Sequence, residues 1–301
     1  MVAASTENKH SDRQGSIYRG RFAPSPTGEL HFGSLLAAVG SFLQARSRGG
    51  QWLLRIEDID TPREVPGAAA SQIATLEAFG MRPDQPVAFQ SRSALFHSQA
   101  LAQLRALGLA FDCGCSRSML PGTGIYPGTC RAGLPAGRPA RSVRFRVPDA
   151  PLAVHDRVFG NFSECLPTIC GDFVIRRADG LFAYQLAVVV DDLRAGITEV
   201  VRGQDLLEST GRQQALYAAL GSKSPDWLHL PLVVDRHGRK LSKSGHADPV
   251  ARLSRTRALG RVLQALGHQP PPGLRSLEAL WSWAIRNWQV ERIPREPFEL
   301  S

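Results

Sequence analysis

Two short stretches carry residues suited to phosphate chemistry. His31-Phe32-Gly33-Ser34 follows a Pro- and Gly-rich turn and precedes apolar residues at Leu35, Leu36, Val39, Phe42 and Leu43. That repeat has helical spacing. The histidine is therefore expected at a helix mouth, with Ser34 as the cap and Gly33 allowing a ligand close to the backbone. Unpaired N–H groups and the helix dipole at such a mouth attract phosphate. The second stretch, Lys240-Leu241-Ser242-Lys243-Ser244, sets two lysines and two serines beside Gly245. Such a loop can close on a nucleoside triphosphate and neutralise the charge building on pyrophosphate. Each stretch alone also has an ordinary reading, as a βα loop with a surface histidine and as a solvated basic loop. Together they fit one reaction, in which a carboxylate attacks the α-phosphorus of ATP and pyrophosphate leaves. Histidine and lysine then supply charge and hydrogen bonds, not covalent chemistry.

These residues need a scaffold that brings distant stretches together. Ile17 to Phe22 reads as a strand, and Ser34 to about Arg48 as a helix stopped by Gly49-Gly50. Trp52 to Glu57 reads as a buried strand, Gly67 to Phe79 as a helix ended by Gly80, and Val87 to Gln90 as a third strand before a helix to about Leu107. This alternation predicts an α/β fold with a Rossmann-type, doubly wound parallel sheet. From Cys113 to about Arg138 the chain turns Gly-, Pro- and Cys-rich, and Arg141 to Val147 then alternates like a half-buried strand. Ile197 to Arg202 reads as a strand returning to the sheet, Leu206 to Leu220 as a helix, and Leu230 to Ser242 as a hairpin-like arm. Leu277, Leu280, Trp281, Ala284, Ile285 and Trp288 form one helical face. The expected organisation is a disordered tail at 1–16, a first catalytic half at 17–110, an inserted subdomain at 111–180, a second half at 181–249 and a helical segment at 250–301.

The composition bounds the partners. Lys and Arg number 36 against 27 Asp and Glu, a formal charge of +9, which admits a polyanionic partner such as nucleic acid. No apolar run is long enough to span a membrane, and the first sixteen residues lack a signal peptide's apolar centre. The expectation is a cytoplasmic protein with no membrane partner, working as a monomer. Five cysteines in such a chain argue for metal ligands or free thiols over a disulfide framework.

At this point the residues carry a resemblance. His31-Phe32-Gly33-Ser34 and Lys240-Leu241-Ser242-Lys243-Ser244 resemble HIGH and KMSKS, the signature motifs of class I aminoacyl-tRNA synthetases. The stretches Arg21 to Gly28, Arg55 to Arg63, Val188 to Asp192 and Val201 to Asp205 resemble the glutamyl branch in particular. The first motif departs from that branch, with Ser34 where a second glycine is usual. The length departs further: of the 301 residues only 57 follow Ser244, too few for the anticodon-binding domain of a full glutamyl enzyme. A short glutamyl-type chain with a Cys-rich insert resembles the glutamyl-queuosine tRNA(Asp) synthetases. That family implies ATP-dependent activation of L-glutamate and its transfer to queuosine in the anticodon loop of tRNA(Asp).

The resemblance also implies roles for particular residues. His31 and Lys243 would be catalytic, and His31, Gly33, Ser34, Lys240, Ser242 and Lys243 would meet ATP, supplied with Mg2+. Arg21, Phe22, Ala23, Pro24 and Ser25 from the first turn would bind glutamate together with Glu57, Tyr184 and Arg202. Arg202 would grip the side-chain carboxylate with a two-pronged fork, Glu57 would meet the ammonium, and Tyr184 would close the pocket. Cys113, Cys115 and Cys130, with Tyr126 as fourth ligand, resemble this family's site for structural Zn2+. Three thiolates suit such a site, and a metal would order a stretch that has no core of its own. Three buried free thiols are the ordinary alternative. The rival functions are a short glutamyl-tRNA synthetase charging a tRNA 3′ end, a small-molecule adenylyltransferase, and a non-catalytic tRNA-binding module. His31, Lys243 and the two arginines count against the last.

Overall fold

The computed structural model describes residues 17–239, 250 and 254–300. The tail expected at 1–16 and the loop residues Lys240, Ser242, Lys243 and Ser244 lie outside these residues.

The chain opens with β1 (Arg19–Phe22), α1 (Phe32–Ser47), β2 (Gln51–Ile56), α2 (Ala68–Ala78), β3 (Ala88–Phe89) and α3 (Ala94–Ala106). The three strands pair in parallel, in the order β1-β2-β3. α1 stops where Gly49 takes a φ of +61°, a left-handed conformation that a Cβ resists. The middle of the chain supplies β4 (Ala110–Cys113), β5 (Ser142–Phe145), β6 (Leu152–Asp156), β7 (Gly160–Glu164), a one-turn α4 (Leu166–Ile169) and β8 (Phe173–Arg176). Then come α5 (Tyr184–Ala195), β9 (Glu199–Gly203), α6 (Thr210–Ala219), β10 (Asp226–Leu230), β11 (Val233–Val234), α7 (Arg255–Ala265), α8 (Leu277–Asn287) and β12 (Phe298–Glu299).

β9 and β10 are parallel, and the Thr198 N–H donates to the Arg19 carbonyl at 2.9 Å, setting β9 beside β1. Successive strand residues point to opposite faces, and here both faces are covered. Trp52, Leu54, Val201, Leu228 and Leu230 enter one core with α1, α7 and α8. Leu53, Val200 and Trp227, their neighbours in sequence, enter a second core with α3, α5 and α6. Parallel strands buried on both faces explain why adjacent apolar residues, Trp52-Leu53-Leu54 in β2 and Val200-Val201 in β9, are all buried.

The middle stretch divides between two sheets. β4, β5 and β8 form an antiparallel sheet of their own. β6 and β7 instead form a hairpin at the edge of the parallel strands, in the order β7-β6-β10-β9, with Asp156 of β6 opposite Trp227 of β10.

The carboxyl-terminal helices pack as the Trp281 and Trp288 spacing predicts. Trp281 is buried and its Nε1–H donates to the Phe79 carbonyl at 2.7 Å. Trp288 stacks on His268 at 4.8 Å and donates to Gln44 Oε1 at 2.7 Å. Two details differ from expectation. The helix expected from Leu206 starts as a 3-10 turn, Gln204–Ser209, because α6 takes up α-helical pitch only at Thr210. Within the arm expected at Leu230–Ser242, the described residues to Arg239 close a tight turn, with the Asp235 N–H donating to the Arg239 carbonyl. The strand partner of β11, however, is β12 from the far end of the chain. No helix among the described residues is long and apolar enough to cross a membrane.

Candidate active site

The mouth of α1 is built as the turn chemistry demands, with one correction. The cap is His31, not Ser34: its Nδ1 accepts the Ser34 N–H at 3.3 Å. Ser34 lies three residues in, where its N–H is the one an N-cap side chain satisfies. With Nδ1 accepting, the proton of the neutral imidazole belongs to Nε2. Gly33 and Ser34 are half-buried in the first turn. The preceding loop is pinned by Gln72, whose amide donates to the Ser25 and Gly28 carbonyls at 3.1 and 2.6 Å. Pro24 accepts the Glu57 N–H at 2.9 Å, tying the exits of β1 and β2 together. Val250, six positions after Ser244, donates its N–H to the Leu30 carbonyl at 3.0 Å. The chain therefore returns from the second motif to the residue beside His31.

Behind that mouth lies a buried charge network. Arg21 holds Asp192 at 3.1 Å through both Nε and Nη2. Arg55 reaches Asp192 at 2.6 Å with one nitrogen and Glu57 at 3.1 Å with another. Burial would raise the Asp192 carboxyl, but Arg21 and Arg55 outweigh it and hold the group below the usual carboxylate range. For Glu57 the balance is reversed. Burial raises its pKa, and Arg55 and Arg21 do not fully offset it.

Arg202, on β9, is buried at 5% exposure. Its Nε donates to His229 Nε2 at 2.9 Å, Nη1 to Gln213 Oε1 at 2.6 Å, and Nη2 to the Leu206 carbonyl and Thr210 Oγ1, both at 3.0 Å. Its guanidinium also lies over the Trp227 ring at 4.9 Å. All these partners are neutral, and no carboxylate among the described residues pairs with it. Burial consequently lowers its pKa, with only partial relief from Tyr184 and Asp192. These partners take four of its five N–H groups, Tyr184 also hydrogen-bonds to it, and its charge is left without a carboxylate partner among the described residues. The half-buried Tyr184, at the start of α5, lies within electrostatic reach of both Arg202 and Glu57.

The cysteine group comes together as expected. The Sγ atoms of Cys113, Cys115 and Cys130 all lie within 4.8 Å of one another. Cys115 and Cys130 are 3.8 Å apart, which is about the separation of two sulfurs at ~2.3 Å from a tetrahedral zinc. The Tyr126 hydroxyl is hydrogen-bonded with Cys113 Sγ at 3.5 Å and accepts the Cys130 N–H at 2.8 Å. Burial would raise the Cys113 thiol, yet hydrogen bonds from Tyr126, the Cys115 N–H and Arg144 bring it down to about 7. Arg144 donates to Cys113 at 3.3 Å and lies 3.8 Å over the Tyr126 ring. All five cysteines are free.

The structure thus gathers Arg21, Glu57, Tyr184 and Arg202 near one another and His31 at the neighbouring loop, and it gathers the cysteine group elsewhere. Lys240, Ser242 and Lys243 lie outside the described residues. The sequence reading missed Asp192, Arg55 and Gln72 as supports. The signal for Asp192 was a carboxylate pair, Asp191-Asp192, inside the apolar run of α5.

Comparison with known proteins adds to this geometry. The family model of the catalytic domain of class I (E and Q) tRNA synthetases matches residues 18–122 and 130–254. A glutamyl-Q tRNA(Asp) synthetase of Chromobacterium violaceum is 50% identical over 95% of this chain and 98% of its own. One from Aromatoleum aromaticum is 52% identical over 93% and 91%. Among solved structures, a glutamate tRNA ligase from Elizabethkingia meningosepticum, in complex with its amino acid, is 26% identical. It superposes with a TM-score of 0.81 over 95% of this chain and 67% of that one.

Proposed function

The chain belongs to the glutamyl-Q tRNA(Asp) synthetase family of class I tRNA synthetases, and from that premise we infer its reaction. It joins L-glutamate to ATP, releasing pyrophosphate, and passes the glutamyl group to queuosine in the anticodon loop of tRNA(Asp). An α-carboxylate oxygen of glutamate forms the new bond to the α-phosphorus as the bond to pyrophosphate breaks. His31 and the N–H groups of the α1 mouth meet the phosphates, together with Lys240, Ser242 and Lys243, and ATP arrives with Mg2+. The chemistry asked of these groups is positioning and charge.

One observation carries the amino acid assignment. Glu57 is a buried carboxylate with Arg55 as its ion-pair partner at 3.1 Å, and Arg202 is a buried guanidinium that no carboxylate among the described residues pairs with. A ligand with an ammonium at one end and a carboxylate at the other complements the two, and glutamate has that form. Arg21 lies within the same electrostatic neighbourhood. The turn from Phe22 through Ala23 and Pro24 to Ser25 supports the α-carboxylate end, and Tyr184 closes the side. We take the working state as a monomer, and the tRNA substrate places the work in the cytoplasm.

Glutamate-dependent exchange of label between pyrophosphate and ATP is the expected result without tRNA. With total tRNA, labelled glutamate should map to the modified nucleoside of one tRNA after nuclease digestion. Label on a 3′-terminal adenosine would favour a short glutamyl-tRNA synthetase, and no exchange by folded protein would remove the catalytic reading.

Cys113, Cys115, Cys130 and Tyr126 would hold Zn2+, which when bound ties together the loop between β4 and β5. The sulfur spacing supports this assignment. Exposed Arg117 and Arg141 flank the group and favour RNA approaching there. Elemental analysis should return about one zinc per chain. A strong chelator should expose the 113–130 region to protease while leaving most pyrophosphate exchange. Protein purified without zinc, and no less ordered for it, would overturn the site.

A further inference from the structure

Arg202 is held by a buried chain of side chains that the reaction itself does not use. Residue 202 on β9 and residue 229 on β10 are register partners in the parallel pair, so the His229 ring lies alongside the guanidinium. Arg202 Nε–H points at His229 Nε2 at 2.9 Å. A guanidinium nitrogen always carries its hydrogen here, so His229 Nε2 must accept. The ring proton is then on Nδ1, which donates to Asp156 Oδ2 at 2.6 Å. The side chains of His229 and Asp156 are both fully buried.

Asp156 is anchored in turn. Oδ1 accepts the Val158 and Phe159 N–H groups at 3.0 and 2.8 Å, and Oδ2 also accepts the His229 N–H at 3.0 Å. The β6–β7 turn therefore wraps the carboxylate, and the edge pairing of β6 with β10 delivers it to the histidine.

We propose that Asp156 and His229 are positioning residues that aim Arg202 at the distal carboxylate of a dicarboxylic amino acid. The proposal rests on the glutamate reading of the site. Its logic is a spacing of charges. A carboxylate bonded directly to Arg202 would neutralise it and compete with the substrate. An imidazole between the two fixes the plane of the guanidinium while leaving its charge for the ligand. Burial pulls the His229 pKa below its ordinary value, which agrees with a neutral spacer. Gln213, Thr210 and the Leu206 carbonyl complete the cage, with Tyr184 on the remaining side.

The test is pyrophosphate exchange by the full-length protein with glutamate and ATP varied separately, alongside thermal melting. His229→Leu removes the acceptor facing Arg202. It should raise the KM for glutamate by about 10- to 100-fold, the scale of a misplaced binding group. The KM for ATP should stay within about twofold, and the preference for glutamate over glutamine should shrink. His229→Gln, whose side-chain oxygen can accept from Arg202, should recover most of the loss. If the leucine variant does not fold, Asp156→Asn carries the same comparison. Unchanged glutamate KM, or equal loss toward glutamate and ATP, would overturn the positioning role. Wild-type protein that shows no exchange with glutamate would overturn the glutamate reading itself, and this proposal with it.

Discussion

His31→Asn should give a folded protein whose glutamate-dependent pyrophosphate exchange is slower by about 10²- to 10³-fold, the usual loss when one preorganised charge-stabilising donor is removed. The choice of asparagine follows from the cap. His31 Nδ1 satisfies the Ser34 N–H, and asparagine is among the strongest N-cap residues, so α1 keeps its start. What disappears is the second ring nitrogen. His31→Ala removes both functions and adds a cap loss of about 1 kcal/mol, so the two variants together separate helix stability from phosphate chemistry. Melting curves and exchange rates measured on both decide the matter. Wild-type exchange by the asparagine variant would take His31 out of the reaction.

Arg202→Met is the second large effect. Methionine fills much of the same volume but removes the buried charge. Losing one partner of a desolvated charge pair costs about 2–5 kcal/mol. The expected fall in kcat/KM for glutamate is therefore roughly 30- to 5000-fold. Arg202→Lys should rescue little, because an ammonium cannot serve His229, Gln213, Leu206 and Thr210 together. Exchange with ATP saturated and glutamate varied reads the effect. A methionine variant that activates glutamate normally would refute Arg202 as the carboxylate-binding residue.

Much of this arrangement was legible from residue order because it is local. The run from Arg19 to Ser47 announces strand, turn and helix through its own periodicity, and the Trp281 and Trp288 spacing announces burial. Other parts depend on partners far away in sequence. β6 carries Asp156 on a five-residue segment that reads as one more short strand, and nothing local says that its neighbour is β10, some seventy residues on. β12 is two residues long and invisible until it meets β11. The partners that surround Arg202 are hidden from the sequence for a related reason. The residues that occupy its N–H groups lie on β10 and α6 and in the turn between β9 and α6, and only the folded sheet brings them together. A hydroxyl is the commoner cap, but the helix starts earlier than Ser34, and an imidazole nitrogen three residues before it accepts the Ser34 N–H.

The hairpin of β6 and β7 sets a limit on transplantation. Anyone wishing to exchange the cysteine-bearing excursion for that of a relative would be tempted to cut it out whole, from Phe111 to Gly180. That cut would strip two strands from the edge of the catalytic layer and take the anchor of Arg202 with them. The graftable unit is the shorter stretch between β4 and β5, whose ends are already held together by the Arg141 N–H on the Cys113 carbonyl. On the positioning role proposed for Asp156, amino acid choice would travel with the far half of the excursion as one piece.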